Sequence, residues 1–158
     1  MTALFARRAA EVEGEFALFL VGSRFHKPWR IRRCYRMFRL YRRVLAELRS
    51  TDCGYLGGEI WVARTVIHVQ YWRSIEQLQA FASDPGGSHS VAWRDFNVHL
   101  AQSDAVGIWH EAYRIEADAH QSVYLNMPEF GLAKAAASKR TDSAPKETPA
   151  PATGENKA

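Results

Sequence analysis

The chain has 158 residues, 47% of them hydrophobic and 24% charged, which fits one domain of ordinary size and argues against both wholesale disorder and two full domains. Net charge is +4, from 21 basic and 17 acidic residues, a surplus too small to call for nucleic acid as a partner. Cys34 and Cys53 are the only cysteines and form no Cys-x-x-Cys pair, which argues against a disulfide scaffold and a thiolate metal site.

No long apolar segment precedes a cleavage signal, and Phe16–Val21 is too short to span a bilayer. The expectation is a cytoplasmic protein. That same apolar run, closed by Gly22, has the length of a buried strand. After Pro28 the spacing predicts a helix from Trp29 to Arg49. Ile31, Cys34, Tyr35, Phe38, Tyr41, Leu45 and Leu48 recur at three and four residues and are expected to pack on a sheet. Eight arginines, at 30, 32, 33, 36, 39, 42, 43 and 49, fill much of the remainder. An amphipathic arginine helix also suits peripheral contact with an anionic membrane through Arg30–Arg43.

Strands are predicted near Tyr55–Trp61 and Arg64–Trp72. In the second, period two puts Val66, His68, Gln70 and Trp72 on one face and Ile67, Val69 and Tyr71 on the other. Ser74-x-x-Gln77 is a capping-box pattern that starts a helix, and Asp84-Pro-Gly-Gly87 breaks it. A further helical stretch runs from Ser88 to Ala101, with His89, Trp93, Phe96 and Leu100 on one side. A fourth strand follows from Ala105 to Ile115, with Ile108 and His110 on one face and Trp109 and Glu111 on the other. Val123–Leu125 is expected as a fifth strand. From Ser138 the composition is Lys, Thr, Pro, Glu, Ala and Gly without an aromatic residue, which reads as a disordered tail. The chain thus divides into an N-terminal extension (1–10), a folded domain (11–136) and a tail (137–158).

This order is α+β: a ferredoxin-like β-α-β-β-α-β unit with one added strand. Helices on one sheet face leave the other needing cover. A second copy would supply it, so the expectation is a homodimer that forms a dimeric α/β barrel, with an aromatic pocket between facing sheets.

The segment from Val69 to Leu132 carries Val-Gln-Tyr-Trp-Arg-Ser-Ile-Glu (69–76), Ser88-His89, Gly107-Ile-Trp-His-Glu-Ala-Tyr113 and Tyr124-Leu-Asn-Met-Pro128. It resembles an uncharacterised bacterial "monooxygenase family" of the dimeric α/β-barrel group. It also resembles the C-terminal half of haem-containing aldoxime dehydratases, which carry two such units where this chain has one. In that resemblance His89 matches the histidine that ligates haem iron, and His110, 21 residues on, matches the distal catalytic histidine. The resemblance implies a b-type haem held through His89. Trp93, Phe96, Trp72 and Ile108 would supply an apolar surround, and Arg64 or Arg73, which flank the third strand, would neutralise a propionate or an anionic substrate unless they are solvated strand ends.

Histidine exchanges protons near neutral pH, so His110 is a candidate general acid or base. His68, on the same strand face as Trp72, is a second candidate, and Tyr124 is a third. A metal triad of His68, His89 and His110 lacks any short ligand spacing. Three functions remain open: a small enzyme acting on an apolar organic substrate with haem, a cofactor-free monooxygenase, or a non-catalytic binding protein. No glycine-rich nucleotide motif occurs.

Overall fold

A computed structural model describes residues 8–137. The elements are β1 (Phe16–Phe25), α1 (Ile31–Ser50), β2 (Tyr55–Val62), β3 (Thr65–Trp72), α2 (Ile75–Ser83), α3 (Ser88–His99), β4 (Val106–Ile115) and α4 (Leu132–Ala137). The four strands form one antiparallel sheet in the order β2-β3-β1-β4. The fold is α+β. Ala17, Leu48, Trp72 and Leu78 form a core between the sheet and helices α1 and α2.

The sheet is open, with β2 and β4 as its edges. The expected dimeric α/β barrel is corrected on this point: the strands are not closed into a barrel. Two observations explain the difference. The fifth strand does not form. Val123 and Leu125 stay exposed, so no burial favours an extended edge, and Asn126 at φ 55 turns the chain away. One isolated bridge, Arg8 to Tyr124, is what remains of it. The face assigned to a second copy is also partly occupied by the chain itself. Ala10, Phe16 and Leu132 form a core there, with Val12, Tyr71, Ile115 and Tyr124 packed against it. Ala10, expected in the N-terminal extension, is part of the packed structure. Residues 1–7 and the tail expected from Ser138 lie outside the described residues.

β1 runs through Gly22 to Phe25 instead of ending at Val21. Gly22 is read better as a close approach than as a strand end. A Cβ there would stand 2.3 Å from the Val66 carbonyl oxygen and 2.9 Å from Trp109 Nε1.

Helix α1 is rotated relative to the expected stripe. Leu40 and Leu48 are buried, whereas Trp29 (70%), Ile31 (73%), Tyr35 (64%) and Phe38 (54%) are exposed. An ion pair ties α1 to α3 beside this face: Arg36 Nε donates to Asp95 Oδ2 at 2.7 Å. The second helical segment begins as the sequence indicates, with Ser74 Oγ accepting from Gln77 N at 3.2 Å. Helix α3 has no side-chain cap of its own. Glu47 of α1 accepts from Ser88 N at 2.8 Å and places a carboxylate at that helix start. Among the described residues, no helix is long and apolar enough to cross a membrane.

Gly22→Ala is expected to lower stability by about 1–3 kcal/mol, the usual range for forcing an atom into a packed site. Gly86→Ala, whose added carbon meets nothing closer than 3.7 Å, is expected to stay within about 0.5 kcal/mol of the parent. Urea unfolding of the two variants side by side measures both.

Candidate functional site

The alternation of β3 puts His68, Gln70 and Trp72 on its helix-facing side, and all three are buried. Trp72 Nε1 donates to Gln70 Oε1 at 2.9 Å. That uses the amide oxygen, so the amide nitrogen faces His68 Nδ1, also at 2.9 Å. Nδ1 must then accept, which leaves the proton on Nε2, 3.3 Å from Tyr55 Oη. The order fixes His68 as one neutral tautomer. Burial, helped by the positive charge of Arg49, pushes its pKa down to about 4. Glycine at position 58 makes room for this pair: a Cβ there would lie 2.9 Å from His68 Nε2 and 3.1 Å from Tyr55 Oη.

Above this row a cavity of about 710 Å³ lies between the sheet and the helices. Gln70 and Trp72 belong to its sheet wall, with Phe19 of β1 and Ile108 and His110 of β4. Tyr41 of α1, Phe81 of α2, and His89, Trp93 and Arg94 of α3 line the helix side. The volume is that of a small-molecule site, and the lining is mostly apolar with a few polar groups. This cavity lies under the helices, on the face of the sheet opposite the one expected to meet a second copy.

His89 sits in the first turn of α3, its Nδ1 3.0 Å from the Ala82 carbonyl oxygen. A carbonyl only accepts, so Nδ1 carries the proton and Nε2 keeps a free lone pair. A ring contact to Phe81 at 6.2 Å, continued from Phe81 to Trp72 at 5.5 Å, links His89 to the sheet wall. His110 is exposed to solvent, with its ring 5.7 Å from Phe19. Two imidazoles therefore reach one cavity, one from a helix and one from a strand.

Of the residues singled out in the sequence, His89, His110, Trp72, Trp93 and Ile108 line the cavity. His68 is not in the lining. It lies in the buried row beside it, held by its neighbours. Arg73 is engaged elsewhere, its Nη1 2.8 Å from Asp52 Oδ1. Tyr124 is on the far face of the sheet, packed in the cluster of Phe16 and Leu132, where its Oη accepts from Ala133 N at 3.2 Å. The strand expected at Val123–Leu125, which would have carried it, does not form. Among the described residues, no group of three histidine, cysteine or acidic side chains is placed to hold a metal ion, so the triad of His68, His89 and His110 is not assembled.

Two lining residues escaped sequence reasoning. Arg94 is the cationic side chain of the described lining. Ser90, Arg94 and Asn97, spaced as i, i+4 and i+7, form a row next to His89, Trp93 and Phe96, and this spacing was the available signal. Tyr41 contributes a buried hydroxyl with no hydrogen-bond partner among the described residues, and burial holds its phenol above the usual range. Its place in an apolar stripe concealed it.

Residues 16–132 match the family described as monooxygenase af470-like, and the chain belongs to that family. Among solved structures it is similar to an aldoxime dehydratase in complex with butyraldoxime, at 15% identity and a TM-score of 0.64, over 79% of this chain and 38% of that one. A second aldoxime dehydratase structure is similar at 17% identity and a TM-score of 0.63, over 82% and 41% of the two chains. The chain thus spans about two-fifths of the length of these dehydratases, and at such identities the likeness is one of fold. No curated protein sequence matches.

A histidine held neutral at about 4 against about 6.5 when unfolded makes the unfolded chain bind more protons between those pH values. Its contribution to stability is present above pH 6.5 and is lost as pH falls towards 4. The loss amounts to about 3 kcal/mol. His68→Gln should remove that part of the acid dependence. Denaturant unfolding of parent and variant from pH 7 to pH 4 reads the difference between the two slopes.

Proposed function

We propose that this chain is a small cofactor-independent oxygenase. It takes an apolar, electron-rich organic molecule into the cavity between helices and sheet, with His110 as the catalytic base. The observation that carries this reading is the mostly apolar cavity of about 710 Å³ with one solvent-facing imidazole in its wall. Membership of a monooxygenase-like family supports it. A phenol with a free ring C–H position is a suitable substrate. His110 takes the hydroxyl proton, and the anion directs an electron pair from ring carbon to dioxygen, which is both co-substrate and oxidant. The new C–O bond leaves a peroxide that takes the proton back from the imidazolium. The O–O bond then breaks as the ring C–H proton leaves, giving a quinone and water. Apolar walls suit the substrate by excluding bulk water from the reacting carbon. A cytoplasmic setting accords with this reading, since it keeps the free thiols of Cys34 and Cys53 reduced.

A second reading, haem binding, is favoured by a separate observation. His89 directs its protonated Nδ1 to the Ala82 carbonyl, the arrangement by which an outer partner fixes a metal-ligating histidine. The residues present fit the group: His89 Nε2 for the iron, Trp72, Trp93 and Ile108 for the apolar surround, and Arg94, in place of Arg73, for a propionate. When bound, haem supplies an iron atom able to take up a substrate nitrogen or dioxygen. With an aldoxime substrate, His110 would hold the proton that goes to the departing hydroxyl oxygen.

Oxygen uptake with a panel of polycyclic phenols tests the first reading, and a haem titration followed in the Soret region tests the second. Turnover by metal-free protein is expected, with a loss of roughly 10²-fold or more in His110→Ala and no change in fold. A Soret band that disappears in His89→Ala, with turnover that requires haem, transfers the assignment to the second reading. Ligand uptake without turnover under either condition contradicts both and leaves a binding protein.

A further inference from the structure

The arginines of α1 are not absorbed by the cavity or its chemistry. Between Trp29 and Arg43 there are seven arginines and no acidic residue. Among the described residues only Arg36 of these is held in a salt bridge, to Asp95. Two rows run side by side along this half of the helix at the same spacing of i, i+4, i+7 and i+11. One is Arg32, Arg36, Arg39 and Arg43. The other is Ile31, Tyr35, Phe38 and Arg42. The apolar members of the second row are exposed, as is Trp29 before the helix. The buried contacts of α1 come from Leu40 and Leu48. An exposed row of one isoleucine and two aromatics, with a tryptophan at its head and arginines alongside, is unusual on a solvated helix.

We propose that the N-terminal half of α1 is a docking surface for an anionic lipid membrane. Ile31, Tyr35 and Phe38 would enter the headgroup boundary, and Arg32, Arg39 and Arg42 would meet the lipid charge. Charge complementarity selects this occupant. A second copy of the chain would bring seven arginines against seven, with no acidic side chain on either segment to offset them. A polyanion such as nucleic acid would use the arginines but gives no reason for the aromatic row. A helix of this composition lies in the plane of a bilayer surface with its apolar row a few ångströms into the lipid. Phe38 also lines the cavity while half of its surface is exposed, as do Trp93 and Val98 of α3. Docking therefore brings the cavity mouth to the lipid surface, where apolar molecules concentrate. This last consequence rests on the proposed function. Docking itself does not.

The test is sedimentation of the full chain with vesicles of phosphatidylcholine alone and of phosphatidylcholine with phosphatidylserine, at low and at physiological salt. The expected result is binding to the phosphatidylserine vesicles only, weakened by salt. Arg32→Gln, Arg39→Gln and Arg42→Gln together should weaken binding by about 10²-fold, at roughly five-fold for each arginine. Ile31→Ser with Tyr35→Ser should also weaken it, with unfolding midpoints unchanged because both side chains are exposed. No binding by the parent protein overturns the proposal. So does binding that survives the triple arginine variant. If the Ile31 and Tyr35 substitutions leave binding untouched, the surface is a general polyanion site and the lipid assignment fails. If they instead dissociate a homodimer in sedimentation velocity, the row belongs to a second copy and the assignment fails equally. Oxygen uptake in detergent-free buffer is read separately, so a loss of docking and a loss of the proposed chemistry are told apart.

Discussion

Two polar side chains, His68 and Gln70, are buried on a strand next to the centre of the sheet, and the site beside them depends on how they are satisfied. Each would cost a few kcal/mol if left unpaired. The indole of Trp72, the amide of Gln70, the imidazole of His68 and the hydroxyl of Tyr55 resolve this by bonding in one direction along alternate β3 positions and across to β2. The row is satisfied only with a neutral imidazole and a single amide orientation. It thereby sets the rotamers of Gln70 and Trp72, which are themselves part of the cavity wall. A half-satisfied network would be worse than an apolar core, and a complete one rigidifies its surroundings. His68 is therefore understood as a positioning residue for the wall. His110, on β4 with its ring near Phe19, stays exposed to solvent.

The helix side follows from a second set of ties between elements. Arg36 ties α1 to α3 through Asp95, and Glu47 closes the amide end of α3 at Ser88. These two bonds hold α1 and α3 as the walls that face Trp72 and Ile108. The turn at Asp84, whose carboxylate accepts from Gly86 N at 3.0 Å, returns the chain so that His89 meets the Ala82 carbonyl. The direction of His89 is thus determined by a break between two helices as much as by the helix that carries it.

Much of this was legible in the sequence, for reasons that can be named. Period two on β3 and β4 located His68, Gln70, Trp72, Ile108 and His110 on their proper faces, because a strand leaves a side chain no third direction. The Ser74 cap and the Asp-Pro-Gly-Gly break were local chemistry and needed no tertiary context. What failed was non-local. Spacing alone assigned Ile31, Tyr35 and Phe38 to the core, whereas the helix buries Leu40 and Leu48 against elements distant in sequence, a choice of face that spacing does not report. Gly22 was read as a stop, because the neighbouring Val66 carbonyl and Trp109 ring that require a glycine come from other strands. The barrel was expected because one sheet face lacked cover, and the cover comes partly from Ala10 and Leu132 at opposite ends of the domain. Arg73 and Arg94 show the same limit. Both are arginines beside aromatic residues in sequence, and only the packed chain distinguishes the one paired with Asp52 from the one in the cavity wall.

The central claim is that small apolar molecules enter the cavity between helices and sheet. The five tryptophans report on it directly. Trp72 and Trp93 belong to the cavity lining, while Trp61 packs on Phe130 away from it. The measurement is the indole N–H region of a nitrogen-labelled protein during titration with 1-naphthol. The account predicts that the Trp72 and Trp93 signals shift together and saturate while Trp61 stays in place. A shift confined to Trp61, or signals that never saturate at any site, would contradict it.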